Sequence, residues 1–154
     1  MADRPRPELF FDASALFAGV ASAAGTARAL LLLSEARAIT IIVSEQVIAE
    51  TERALARKAP TALPFYRQAL RTSGIRIVKD PTPDEVAAAQ GMIAHVPDLP
   101  ILVAAMRART GFLVTLNRRY FLDDPVVAQR SGLRIGAPGD ALAWVRGQLL
   151  GSGS

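Results

Sequence analysis

Short apolar runs of strand length recur along the chain, each giving way to a segment of helical composition, and this alternation most narrows the possible folds. Residues 8–12 (Glu-Leu-Phe-Phe-Asp), 39–43 (Ile-Thr-Ile-Ile-Val), 75–78 (Ile-Arg-Ile-Val) and 112–115 (Phe-Leu-Val-Thr) are the clearest runs, and 133–135 is a fifth candidate. Residues 13–18 read as turn or helix broken at Gly19, and Gly25 opens an Ala- and Leu-rich helix over 27–36. Ser44 is placed to cap a helix reaching about Lys58, and further helices are expected over 65–72, 84–93, 98–109 and 140–150, each bounded by Gly or Pro. Strands without polar alternation are covered on both faces. The pattern therefore predicts an α/β domain with a central, mainly parallel sheet of four or five strands and helices on both faces. Such sheets bind ligands beyond the carboxyl ends of their strands, so functional side chains are expected there.

With 154 residues, 51% of them hydrophobic, the chain matches one domain with a full core, expected over residues 1–150. The closing Gly-Ser-Gly-Ser of 151–154 reads as a flexible tail of the composition added to expressed proteins. There is no internal repeat. A net charge of +4 and a pI near 10.3 suit a polyanionic partner without establishing one. The absence of cysteine removes disulfides and thiolate zinc sites, and a single histidine, His95, removes any His-rich metal site. No run approaches the roughly 20 apolar residues of a membrane span. The charged N-terminus has no apolar stretch of the signal-peptide kind behind it, so a cytoplasmic location is expected. A Gly-rich dinucleotide fingerprint and a phosphate loop are both missing, which argues against Rossmann and nucleoside-triphosphate enzymes.

Taken singly, the polar residues at the strand ends have two readings. Asp12, with Ser14 two residues on, caps a turn or belongs to a site. On the helix after Ser44, Glu50 and Glu52 flank the apolar stripe on opposite sides, and periodicity does not choose between them. Asp98 falls near the centre of the arc defined by Ile101, Leu102 and Ala105, so it points inward and either caps its own helix or meets a metal. Thr115 and Asn117, after the fourth run, are ordinary turn residues or site donors, and Arg118 and Arg119 hold phosphate or form a solvated turn. Asp124, just before Pro125, reads as a helix cap, and Asp123 is its unassigned neighbour.

Together, FFDAS, SEQVIAE, PDLPILVAA and FLVTLNRRYF, in that order on strand, helix, helix and strand, resemble the PIN-domain family over roughly residues 8–148. The resemblance matches the family's strand-end acid to Asp12, its helix acid to Glu50 rather than Glu52, and the acid opening the later helix to Asp98. It implies a metal-dependent endoribonuclease, including toxins of toxin–antitoxin pairs, with Mg²⁺ or Mn²⁺ on Asp12, Glu50 and Asp98. Hard divalent ions take oxygen ligands, and one such ion activates a water while a second, about 4 Å away, stabilises the leaving oxygen. Ser14 and Thr115 are then expected to orient these acids, and Arg118 and Arg119 to bind RNA.

The chain departs from the commonest family pattern at Asn117, where many members carry Asp. Asn117 retains an amide oxygen but attracts a cation less, which puts a second metal in doubt. Two functions follow: a metal-dependent ribonuclease, or a PIN-like domain that binds RNA or a protein with weak or no catalysis. A small antitoxin partner and a homodimer are expectations from the resemblance alone.

Overall fold

The computed structural model describes residues 5–151, and residues 152–154 of the expected tail lie outside the described residues. Five strands form one sheet: β1 (Glu8–Phe11), β2 (Thr40–Ser44), β3 (Arg76–Val78), β4 (Phe112–Val114) and β5 (Ile135–Gly136). Their order is β3-β2-β1-β4-β5, and every pairing is parallel. Leu9, Phe10 and Phe11 of β1, Ile41, Ile42 and Val43 of β2, and Leu113 and Val114 of β4 are all fully buried. Consecutive strand residues point to opposite faces, so both faces of the central strands are covered.

Among the described residues eight α-helices accompany the sheet: α1 (Ala13–Ala21), α2 (Thr26–Glu35), α3 (Glu45–Lys58), α4 (Leu63–Thr72), α5 (Pro83–Ala88), α6 (Leu99–Arg107), α7 (Pro125–Ser131) and α8 (Pro138–Gly151). From β1 through β2 to β3 the chain moves one way across the sheet, and from β3 to β4 it returns past β1. Right-handed crossovers therefore place α1 to α4 on one face and α5 and α6 on the other. The packing agrees, since α1, α2, α3, α4 and α8 touch one another while α5 packs on α6. The direction reverses between β1 and β4, which makes their carboxyl ends the topological switch point of the sheet.

Three local expectations change. Gly19 lies inside α1 rather than ending it, because a Cβ there would stand 2.9 Å from Leu31 Cδ1 and 3.1 Å from the Ala27 carbonyl. It is a point of close approach between α1 and α2. The end of α1 is instead satisfied by Arg28, whose guanidinium donates to the carbonyls of Gly19 (2.6 Å) and Val20 (3.0 Å) while lying 4.0 Å from the Phe65 ring centroid. The helix expected over 84–93 stops at Ala88, although Thr82 and Glu85 close a reciprocal capping box at its start. The closing helix includes Gly151, which the tail reading had placed outside. At the sheet edge, β3 departs from the buried pattern, with Arg76 exposed and paired to Glu8 at 3.4 Å. A charge on an edge strand discourages further strand addition. No single described helix is long and apolar enough to cross a membrane.

Candidate active site at the carboxyl ends of β1 and β4

Asp12 follows β1 directly and is 5% exposed, and its backbone N–H donates to the Val114 carbonyl at 3.1 Å, tying it to the end of β4. Its side chain caps α1 by accepting from the Ala15 N–H at 2.9 Å. Capping uses only part of its capacity. Ser14 Oγ donates to the same Oδ1 at 2.7 Å, and Thr115 Oγ1 donates to Oδ2. Each hydroxyl in turn accepts a backbone N–H from the loop after β4: Leu116 to Ser14 Oγ at 2.9 Å, and Asn117 to Thr115 Oγ1 at 3.0 Å. The two hydroxyl protons are thereby aimed at Asp12, which must accept them. The cap reading and the site reading of Asp12 are thus not exclusive.

Burial pushes the Asp12 carboxyl above its ordinary range, against the Ser14, Thr115 and Ala15 donors that favour the ionised form, and the nearby Asp98 charge adds to the rise. Asp98 stands at the head of α6 but makes no capping bond with its side chain. Its Oδ2 instead meets His95 Nδ1 at 2.9 Å and accepts from Asn117 Nδ2 at 3.3 Å. Asn117 turns its amide oxygen away to accept the Tyr120 N–H at 3.1 Å, so its donor end faces the acid.

The two glutamates that helical periodicity left equivalent separate here. Glu52 is exposed and accepts from the Tyr66 hydroxyl at 3.2 Å. Glu50 lines a groove of about 640 Å³ with Ser14, Phe17, Lys58 and Leu116, between α1 and α3. Gln46, one turn earlier, donates to Glu50 Oε1 at 3.1 Å and to the Pro97 carbonyl, next to Asp98, at 3.0 Å. Among the described residues the acids do not form a three-ligand cluster. Asp12 and Asp98 make an interacting pair, and Glu50 lines the groove that Ser14 shares.

Arg118 and Arg119 enter a wide helical turn at Arg118–Leu122 that Asn117 caps. Arg118 meets Asp123 at 3.4 Å with its side chain 77% exposed, and the Arg119 guanidinium lies 5.1 Å from the Tyr120 ring centroid. Asp124 accepts from the Val126 N–H and starts α7, as Pro125 after it suggested. Sequence reasoning left His95 and Gln46 outside the site. The His95-x-x-Asp98 and Gln46-x-x-x-Glu50 spacings, each one turn of helix, are the signals that could have found them.

A family model described as PIN domain matches residues 8–119. Among solved structures, the chain is similar to the PAE2754 protein of Pyrobaculum aerophilum, with a TM-score of 0.64 and 21% identity over 92% of this chain and 91% of that one. At that identity the likeness concerns the fold. No match was found among curated proteins.

Proposed function

Because the chain belongs to the PIN-domain family, whose members are typically nucleases, we propose that it is a metal-dependent endoribonuclease acting at the switch point of its sheet. The observation that carries this reading is Asp12, a buried carboxylate held on both oxygens by hydroxyls of fixed direction, beside a second carboxylate at Asp98.

The donor set fits a hard divalent ion. A carboxylate offers about four acceptor positions. Asp12 uses three of them on Ser14, Ala15 and Thr115, and Asp98 uses Oδ2 while its Oδ1 is bonded to none of the described residues. Mg²⁺ commonly binds through one or two carboxylates and keeps several waters, so the pair suffices without a third acid in contact. Asp12 and Asp98 would hold the ion, and Glu50, in the groove that Ser14 shares, is the third acid of the family pattern. A bound Mg²⁺ or Mn²⁺ supplies a water of lowered pKa and positive charge for the phosphate. Ser14 and Thr115 keep Asp12 in one orientation, and their donors favour its ionised form against the cost of burial. His95 and Asn117 hold Asp98 from two sides. Arg118 and Arg119, on the adjoining exposed turn, would meet RNA phosphates in this reading.

One observation favours a second reading, that of an RNA- or protein-binding domain with weak catalysis: Asn117 gives Asp98 an N–H where many family members supply a further carboxylate. A toxin role, an antitoxin partner and a homodimer belong to the proposal on the family's strength alone. Incubating a mixed RNA pool with the protein and Mn²⁺ tests the enzyme reading. Cleavage that stops on adding EDTA is expected; intact RNA at high enzyme concentration would favour the binding domain.

A further inference from the structure

We infer that the stacked His95–Tyr120 ring pair beside Asp98 is a base-binding step for the nucleotide at the carboxylates, an inference that rests on the ribonuclease reading above. Few aromatic residues are spread along the sequence, and no stacking platform is visible in it. The fold assembles one from a residue three before Asp98 and a residue three after Asn117. The ring centroids lie 4.5 Å apart with planes 19° from parallel. Both rings are fastened to the site, His95 through Nδ1 to Asp98 Oδ2 at 2.9 Å and Tyr120 through its backbone N–H to Asn117 Oδ1 at 3.1 Å.

His95 is the solvent-facing member of the pair, its side chain 40% exposed, while Tyr120 is half-buried against the core. Val96, next to His95 in the chain, is 71% exposed. The guanidinium of Arg119 lies 5.1 Å from the Tyr120 ring centroid, and Arg118 projects from the same turn. A solvent-facing ring, backed by a second ring and with cations on the adjoining turn, is what a sequence-tolerant single-strand site requires, since every base has a π-face and every nucleotide a phosphate. A paired base inside a helix has both faces covered by its neighbours, and A-form RNA does not offer them to side chains. Because His95 touches Asp98, a base stacked on the pair belongs to a nucleotide whose phosphate lies beside the carboxylates. Bracing Asp98 alone would need only the Nδ1 contact. It would not need a second ring stacked at the surface.

The test is binding in EDTA at low ionic strength, which separates recognition from cleavage. The probe is a short oligouridine carrying one 2-aminopurine, used single-stranded and annealed to its complement. Wild type is expected to bind the single strand in preference to the duplex and to change the 2-aminopurine emission as the base stacks. Tyr120→Leu and His95→Leu should weaken binding by about 5- to 150-fold, the range for losing one stacked base, and abolish the emission change. Tyr120→Phe should bind nearly as wild type, and His95→Phe, which loses the Nδ1 contact to Asp98 but keeps a ring, should bind more tightly than His95→Leu. Circular-dichroism melting checks that each variant is folded, and if Tyr120→Leu fails to fold, His95→Leu on its exposed turn carries the comparison. Equal affinity in the leucine variants, equal affinity for duplex, or no binding by wild type would overturn the inference. A parallel assay in Mn²⁺ keeps the two claims apart. Cleavage with ring-independent binding removes the base step and leaves the nuclease, whereas ring-dependent binding without cleavage does the reverse.

Discussion

Asp12 carries opposed demands within one side chain. Its hydroxyl and amide donors favour a carboxylate, while burial favours the neutral acid and prevails, lifting its pKa above the ordinary 3.8. A raised folded-state value means that Asp12 contributes most to stability below its unfolded pKa and loses that contribution as pH rises through the folded value. Asp12→Asn sets an amide N–H against one of those hydroxyl donors, so the variant should melt below wild type in EDTA near pH 3.8. The margin of wild type over the variant should then shrink as pH rises through the folded-state value. Thermal melts of both proteins from pH 3.8 upward check it, and a margin that grows with pH would contradict the argument. At Asn117 the opposite change is informative. Asn117→Asp keeps an oxygen for the Tyr120 N–H and replaces the Nδ2 donor to Asp98 with a second oxygen. Mn²⁺ affinity should rise at least about tenfold, which is about 1.4 kcal/mol and small beside the attraction of a unit charge for a divalent ion at contact. Calorimetric titration giving equal or weaker affinity would place Asn117 outside the ion's reach.

At the level of elements, the boundaries were legible where a side chain enforces them. Ser44 caps α3 by accepting from the Val47 N–H, Pro125 follows the Asp124 cap, and Gly74 adopts φ 65° after α4. What escaped the sequence were uses of residues set by tertiary neighbours. Gly19 looked like a break and is a packing contact; Arg28 interrupted an apolar run and closes the end of α1. Glu50 and Glu52 are equivalent by periodicity, and packing separates them: α4 brings Tyr66 to Glu52, while Glu50 lines the groove beside α1. Gly111 illustrates the same limit. It follows the helix expected over 98–109 as a helix-ending glycine would, yet a Cβ there would lie 2.5 Å from Trp144 Cη2 of α8 and 2.9 Å from Cζ2. Trp144 packs on Phe112 with ring centroids 5.6 Å apart and has no room to retreat on that side. Gly111→Ala should cost about 1–3 kcal/mol, the usual range for overpacking. Urea denaturation with a midpoint unchanged from wild type would show that α8 yields more easily than its contacts imply.

Over the whole molecule, the sheet and the strand-end acid were legible because parallel strands must be continuously apolar and end where the chain turns polar. Strand order was not, since it depends on which way each crossover moves, and with it went the knowledge that β1 and β4 are neighbours. That adjacency brings Thr115 to Asp12 across 103 positions of sequence, and the chain segments after β3 and β4 then bring His95 and Asn117 together on Asp98. The account stands on the Asp12–Asp98 pair being where RNA is cut. The direct measurement is the single-turnover cleavage rate of an unpaired RNA in Mn²⁺ for wild type, Asp12→Asn and Asp98→Asn, each shown to be folded by its melting transition. The account predicts metal-dependent cleavage by wild type and a loss of about 100-fold or more in either variant, the scale on which removing a positioned catalytic charge acts. Undiminished cleavage in either folded variant, or cleavage by wild type in excess EDTA, would contradict it.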